Sequence, residues 1–114
     1  EGGGTSEQIE TIRAVHDYLT QHLDSRTTID ELSRMFLMNP STMKALFKSV
    51  YGSSLASHVR EHRMQHAAKL LLDGDENVAQ VARAVGYESQ SKFSTEFHKA
   101  FGVLPTEYRK VQKR

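Results

Sequence analysis

Phe47-Lys48-Ser49-Val50-Tyr51-Gly52 returns fifty positions later as Phe97-His98-Lys99-Ala100-Phe101-Gly102. The correspondence extends outward from this pair. Asn39 aligns with Ser89 and Met43 with Phe93 at the same offset, whereas Ile29, Leu32 and Ser33 align with Val78, Val81 and Ala82 at forty-nine, a one-residue slip that falls in a turn. Each copy reads as a short helix, a tight turn and a second helix, which is the helix-turn-helix pattern. In each, the first helix carries a small residue, Ser33 or Ala82, where two crossing helices approach closely. One such pattern is weak evidence, since ordinary helical hairpins share it; two copies joined by a long helix are far more specific.

Local signals place the remaining helices. Ile9, Ile12, Leu19 and Leu23, with Val15 nearby, recur at helical spacing, and Ser6 is the expected cap of that first helix. Thr28-Ile29-Asp30-Glu31 has the form of a capping box, followed by a short helix that buries Ile29, Leu32 and Phe36. Asn39-Pro40 is a cap followed by proline at the first helical position, where its missing amide proton costs nothing. Met43, Leu46, Phe47 and Val50 form the apolar stripe of the helix that follows, and Gly52 stops it. Ser54 opens the longest helix, of roughly 18 residues and about 27 Å, ending at Asp73-Gly74. Asn77 caps a helix over Val78 to Val85 that stops at Gly86; Ser89 or Gln90 starts the next, with Phe93, Phe97 and Phe101 inside; Pro105 starts the last, carrying Tyr108. No segment alternates like a strand, so the chain is expected to be all-α. The expected organisation is a linker or cloning remnant over 1–5, a first helix-turn-helix lobe over 6–54, a bridging helix over 55–73 and a second lobe over 74–114.

Composition narrows the function classes. The 114 residues contain no cysteine, which excludes disulfides and thiolate metal sites. No apolar run is long enough to span a bilayer and no secretory signal is present, which fits a cytosolic chain. The net charge of +1 hides an asymmetry: residues 1–31 carry seven acids and two bases, and the rest carries seven acids and thirteen bases. A body of about +6 suits a polyanionic partner.

Helix geometry selects the residues that would meet such a partner. If Met43, Leu46, Phe47 and Val50 face inward, then Ser41, Lys44, Ala45 and Lys48 face outward with Thr42 at the edge. The outward set of the second copy is Ser91, Ser94, Thr95 and His98, flanked by Gln90 and Lys92. Glutamine can bond adenine at two points, lysine can donate to guanine, and serine or threonine can serve either partner, whereas Ala45 offers only a methyl contact. The first helix is thus expected to position more than it discriminates. Phosphates are expected at the helix N-termini near Ser41 and Ser89 and at Lys48, Arg60 and Lys99; Arg63 is as readily a lobe-holding residue.

Nearly the whole chain, from about Gln8 to Arg109, resembles the DNA-binding domain of AraC-type bacterial transcription regulators. The resemblance is carried by Arg63-Met64, Ala67, Leu70-Leu71, Val78 to Val85, Gly86-Tyr87, Ser89 to Phe93, then Phe97, Gly102, Pro105 and Tyr108-Arg109. It implies seven helices in two lobes bridged by the long helix, with two recognition helices entering neighbouring major-groove segments of double-stranded promoter DNA. It also implies that Ser41, Lys44, Ala45, Gln90, Ser91, Lys92 and Thr95 stand at base-reading positions. Members of the family often carry a separate sensing and dimerising domain, and a contact with RNA polymerase is a further expectation; the present domain is expected to be monomeric and to need no cofactor. One departure stands out. Where the second copy has Gly86, the first has Leu37, and a branched residue disfavours positive φ, so the first turn is expected to differ in shape. Neighbouring major-groove faces lie about 34 Å apart along straight DNA, more than the bridging helix spans, which points toward a bent duplex or an imperfectly docked helix.

Three other readings compete. A helical protein-interaction module, for instance an adaptor to polymerase or a sigma factor, would use the same exposed faces. His58, His62 and His66 recur every four residues and could hold a metal, although surface or interlobe histidines are the expectation and no metal residue is assigned. Catalysis has little support, with no cysteine nucleophile, no internal glycine-rich phosphate loop and no metalloprotease histidine pattern.

Overall fold

Capping chemistry written into the sequence sets where each helix begins. The computed structural model describes residues 4–112, and among these the elements are α1 (Ser6–Gln21), α2 (Ile29–Phe36), α3 (Pro40–Tyr51), α4 (Leu55–Asp73), α5 (Val78–Ala84), α6 (Gln90–Phe101) and α7 (Pro105–Gln112), with no strand. The expected linker glycines Gly2 and Gly3 lie outside the described residues. Thr5, rather than Ser6, caps α1: its hydroxyl accepts from the Gln8 amide at 3.0 Å and the Gln8 side chain accepts from the Thr5 amide at 3.0 Å. Reciprocal boxes of the same kind start α2 (Thr28 with Glu31) and α5 (Asn77 with Gln80). Each satisfies two amides that a helix start would otherwise leave without partners.

Glu31 is the one carboxylate among these three boxes. Hydrogen bonds from the Thr28 amide, and next from its hydroxyl, hold the Glu31 carboxyl below its ordinary range. A carboxyl so depressed contributes stability that is present above its unfolded value and is lost as pH falls through the folded one. Glutamine performs the same capping in α1 and α5, so Glu31→Gln is expected to keep the helix start and flatten the acid limb of the melting curve. Melting temperatures recorded from neutral pH down to about 3 for both chains check this; parallel curves would refute it.

The chain divides into two compact units, Glu1–Val59 and Arg60–Arg114, with the division falling inside α4. In the first, α1, α2 and α3 pack on one another around Ile12, Val15, Leu19, Leu32, Met43, Leu46, Phe47 and Val59. Ile29, Phe36 and Val50, expected to be buried, lie half-exposed at the edge of this core. In the second, α5 packs on α6 and α6 on α7 around Met64, Leu71, Val78, Val81, Val85, Tyr87, Phe93 and Phe97. Arg63 is buried in this unit, at 6% exposure. Among the described residues no buried side-chain nitrogen or oxygen lacks a hydrogen-bond partner, so its guanidinium is satisfied. Arg109 fastens α7 to the end of α4, its Nε donating to the Leu71 carbonyl at 2.9 Å and its guanidinium reaching the Gly74 carbonyl at 3.5 Å.

The two turns share a left-handed residue at corresponding positions, yet they differ in detail as expected: the Leu37 amide donates to the Ser33 carbonyl, four residues back, and the Gly86 amide to the Arg83 carbonyl, three back. Leu37 adopts the left-handed conformation at φ 53°, as Gly86 does at φ 92°. One closing bond corresponds: the Met38 amide donates to the Ser33 carbonyl at 3.2 Å, and the Tyr87 amide to the Ala82 carbonyl at 2.8 Å. In the first unit the Ser33 hydroxyl additionally donates to the Met38 carbonyl, a clamp that Ala82 cannot make. Local hydrogen bonding thus holds a leucine where glycine would sit without strain. The side chain of Leu37 is 91% exposed, so removing it costs almost no packing. Left-handed geometry costs a non-glycine residue about 1–2 kcal/mol, against about 0.5–1 kcal/mol for the freedom glycine gains when unfolded. Leu37→Gly is expected to stabilise the first unit by up to about 1 kcal/mol by urea unfolding; a loss of stability would show that the leucine is not strained.

Candidate nucleic-acid interface

Each unit presents its second paired helix with one face packed and the other open. In α3, Met43 and Phe47 are fully buried, which turns Ser41, Lys44, Ala45 and Lys48 to solvent and leaves Thr42 half-buried at the margin. In α6, Phe93 and Phe97 are fully buried; Gln90, Ser91, Lys92, Thr95 and His98 are exposed and Ser94 is half-buried. The outward stripes deduced from periodicity are therefore the exposed ones. Helix α3 contains no acidic residue, and α6 contains only Glu96. A helix about to meet phosphate gains from that absence, because a like charge near the duplex would cost binding free energy.

The two helix starts differ in the amides they leave for an anion. Asn39 Oδ1 accepts from the Ser41 amide at 2.8 Å and from the Thr42 amide at 3.3 Å, Pro40 has no amide proton, and the Met43 amide bonds the Asn39 carbonyl at 2.9 Å. The start of α3 is thus satisfied by its own cap, so a phosphate held by backbone amides near Ser41 would have to displace the Asn39 side chain. At α6 the Ser89 hydroxyl accepts only from the Lys92 amide, at 3.1 Å, and the Phe93 amide bonds the Ser89 carbonyl at 3.1 Å. The Gln90 and Ser91 amides lie outside those capping bonds and point along the positive end of the helix dipole.

Side-chain chemistry on α6 is also partly committed. The Thr95 hydroxyl donates to the Ser91 carbonyl at 3.1 Å. Its proton is therefore occupied, and what it offers outward is a lone pair and a methyl group. Glu96 was not singled out by the sequence. It sits 4.0 Å from Arg60 Nε and 3.8 Å from Lys99 Nζ. Such surface pairs contribute little stability, but they orient two cations of the second unit beside α6. The sequence signal was available: Glu96 is the one acid on α6 and precedes Lys99 by three residues.

This pairing of two helix-turn-helix units identifies a class, and comparison with known proteins names the family. A model described as a helix-turn-helix domain matches residues 32–111. The transcriptional regulator ExsA of Pseudomonas aeruginosa is 34% identical over 92 residues, covering 81% of this chain and 33% of ExsA. A probable transcriptional regulator, LumQ of Photobacterium leiognathi, is 34% identical over 94 residues, 82% of this chain and 38% of LumQ. Among solved structures, the C-terminal domain of AraT, a response regulator from Geobacillus stearothermophilus, superposes with a TM-score of 0.85 at 30% identity over 89% of this chain and 84% of that one. The DNA-binding domain of AdpA, a global transcriptional factor crystallised with a target DNA, gives 0.84 at 25% identity over 89% of this chain and 91% of that one. The chain belongs to the AraC-type family of helix-turn-helix transcriptional regulators. It spans 33% to 38% of the length of ExsA and LumQ, the region of each that it matches.

Proposed function

We propose that this chain binds double-stranded DNA in a sequence-dependent way, laying α3 and α6 in major-groove segments, and that it serves a bacterial transcription regulator without a catalytic step. The observation that carries the reading is the repetition itself: two separately packed units each expose a helix face of short polar and basic residues over a fully buried aromatic or methionine pair. A major groove about 12 Å wide accepts such a helix. Ser41, Lys44, Ala45, Gln90, Ser91, Lys92 and Thr95 are the proposed base-facing residues, with Thr42 and Lys48 at the edge of the α3 contact. The Gln90 and Ser91 amides and Lys48 are proposed phosphate contacts. The uneven chemistry of the faces assigns more discrimination to α6 and more positioning to α3. The DNA complex of AdpA supports the same use of the fold.

Selection of sites from randomised duplex DNA tests this. Two preferred half-sites about one helical turn apart are expected, with log affinity falling linearly as log salt rises. A domain that docks only on polymerase would show no enriched sequence and no such salt slope.

A further inference from the structure

We propose that the groove between α1 and the end of α2 is a docking surface for a protein partner, taking a segment that combines one bulky apolar side chain with lysine or arginine. The first observation behind it is Leu37, which is 91% exposed while its backbone is held at φ 53°. A leucine there neither packs the core nor suits the turn, and strained residues of this kind persist where a function needs the side chain. Its counterpart in the second unit is Gly86. The second observation is what surrounds Leu37. Met35 is 48% exposed and Phe36 is half-buried, whereas the matching Ala84 is a small exposed residue and Val85 is fully buried. The second unit therefore shows no large apolar side chain at this place in its fold, and the first shows two. Contiguous exposed apolar surface of this kind marks interaction sites.

The third observation is the groove itself, of about 400 Å³, in which Met35, Phe36 and Leu37 meet the stripe Glu7, Glu10 and Ala14 of α1. Among the described residues no lysine, arginine or histidine lines it, and no residue of the α3 face does. Two carboxylates beside an apolar wall select the occupant. Nucleic acid is disfavoured because its phosphates would meet like charge. A second copy docking by the same patch would bring Glu7 and Glu10 against their own equivalents. A basic amphipathic segment meets neither obstacle. The two carboxylates lie about 4.5 Å apart along the helix axis, so a partner helix with bases three or four positions apart matches them while its apolar side chain packs on Met35 and Leu37.

Selection of phage-displayed random peptides on the 114-residue chain, with enriched sequences synthesised and titrated by fluorescence anisotropy, tests the surface. Enriched peptides are expected to carry a leucine, isoleucine or phenylalanine together with two bases three or four positions apart. Leu37→Asn keeps the turn, because asparagine tolerates the left-handed conformation, and is expected to weaken peptide binding at least about tenfold by removing the apolar contact. Glu7→Gln with Glu10→Gln is expected to weaken it about fivefold at low salt and to remove most of its salt dependence. Asp24→Asn, which removes an exposed acid of the same unit away from the groove, should leave it unchanged. Circular dichroism and urea unfolding of each variant confirm that the fold is kept. Absence of any saturable peptide would overturn the proposal, as would enriched peptides without bases or binding that Leu37→Asn leaves intact. Sedimentation of the chain alone provides the remaining outcome: a dimer that Leu37→Asn dissolves would assign the groove to a second copy and overturn the assignment to a basic partner.

Discussion

Phe97→Ala is expected to unfold the second unit while α1, α2 and α3 stay folded. Phe97 is fully buried and touches three other rings, with centroid distances of 5.8 Å to Phe93, 4.6 Å to Phe101 and 5.4 Å to Tyr108. Replacing a buried phenylalanine by alanine costs about 3–5 kcal/mol through lost transfer free energy and the cavity left behind. A unit the size of Arg60–Arg114, at about 0.05–0.15 kcal/mol per residue, holds about 3–8 kcal/mol in total. The two numbers are comparable, so one substitution removes most of the margin. The cores of the two units share no residue. Native-state hydrogen exchange should therefore show the amides of α5 and α6 losing protection and those of α1 and α3 keeping it. Leu104→Ala, at a residue 44% exposed, is the control and should cost much less. Equal loss of protection in both units would mean that they unfold as one.

What could be read from the sequence follows from which interactions are local. Caps are local, so Thr28-Glu31, Asn39-Pro40, Asn77 and Ser89 each marked a helix start that the structure contains. The exception, Thr5 in place of Ser6, is a shift of one residue between two hydroxyls that both precede the helix, and the reach of Gln8 back to the Thr5 amide decides it. Buried stripes were legible because the period of the helix is short. Met43, Phe47, Phe93 and Phe97 are all fully buried, as their spacing requires.

The turn at Leu37 was not legible in the same way. The preference of an isolated leucine argues against a positive φ, and only the Ser33 clamp and the Met38-to-Ser33 bond, both made by the folded turn, outweigh it. The candidate site divides similarly. Which faces of α3 and α6 are open follows from periodicity, but the occupation of the α3 amides by Asn39 depends on a side-chain rotamer, which leaves no trace in spacing along the chain.

The double substitution Gln90→Ala with Lys92→Ala is expected to remove most sequence preference at the half-site read by α6. Both residues are exposed in the first turn of that helix, which is the end that enters a groove in helix-turn-helix docking. A bidentate contact to one base is worth about 1–3 kcal/mol of discrimination, and losses at separate base pairs add approximately. The pair should therefore cost about 2–6 kcal/mol at the preferred site and far less on random duplex. The single variants separate the two chemistries. Gln90 is neutral, so Gln90→Ala should relax one position of the selected site and leave the salt slope unchanged. Lys92 carries charge, so Lys92→Ala should relax a base position and, to the extent that its ammonium also displaces a counterion, reduce the slope by up to about 0.9. Lys44→Ala on α3 is the comparison, with a similar change in slope expected and little change in sequence preference, because Ser41 and Ala45 beside it are short. Selection experiments on each variant, with affinities measured at three or more salt concentrations, give both readouts. If Gln90→Ala and Lys92→Ala weakened binding equally on every sequence, α6 would be a phosphate clamp and the division of labour between the two helices would be reversed.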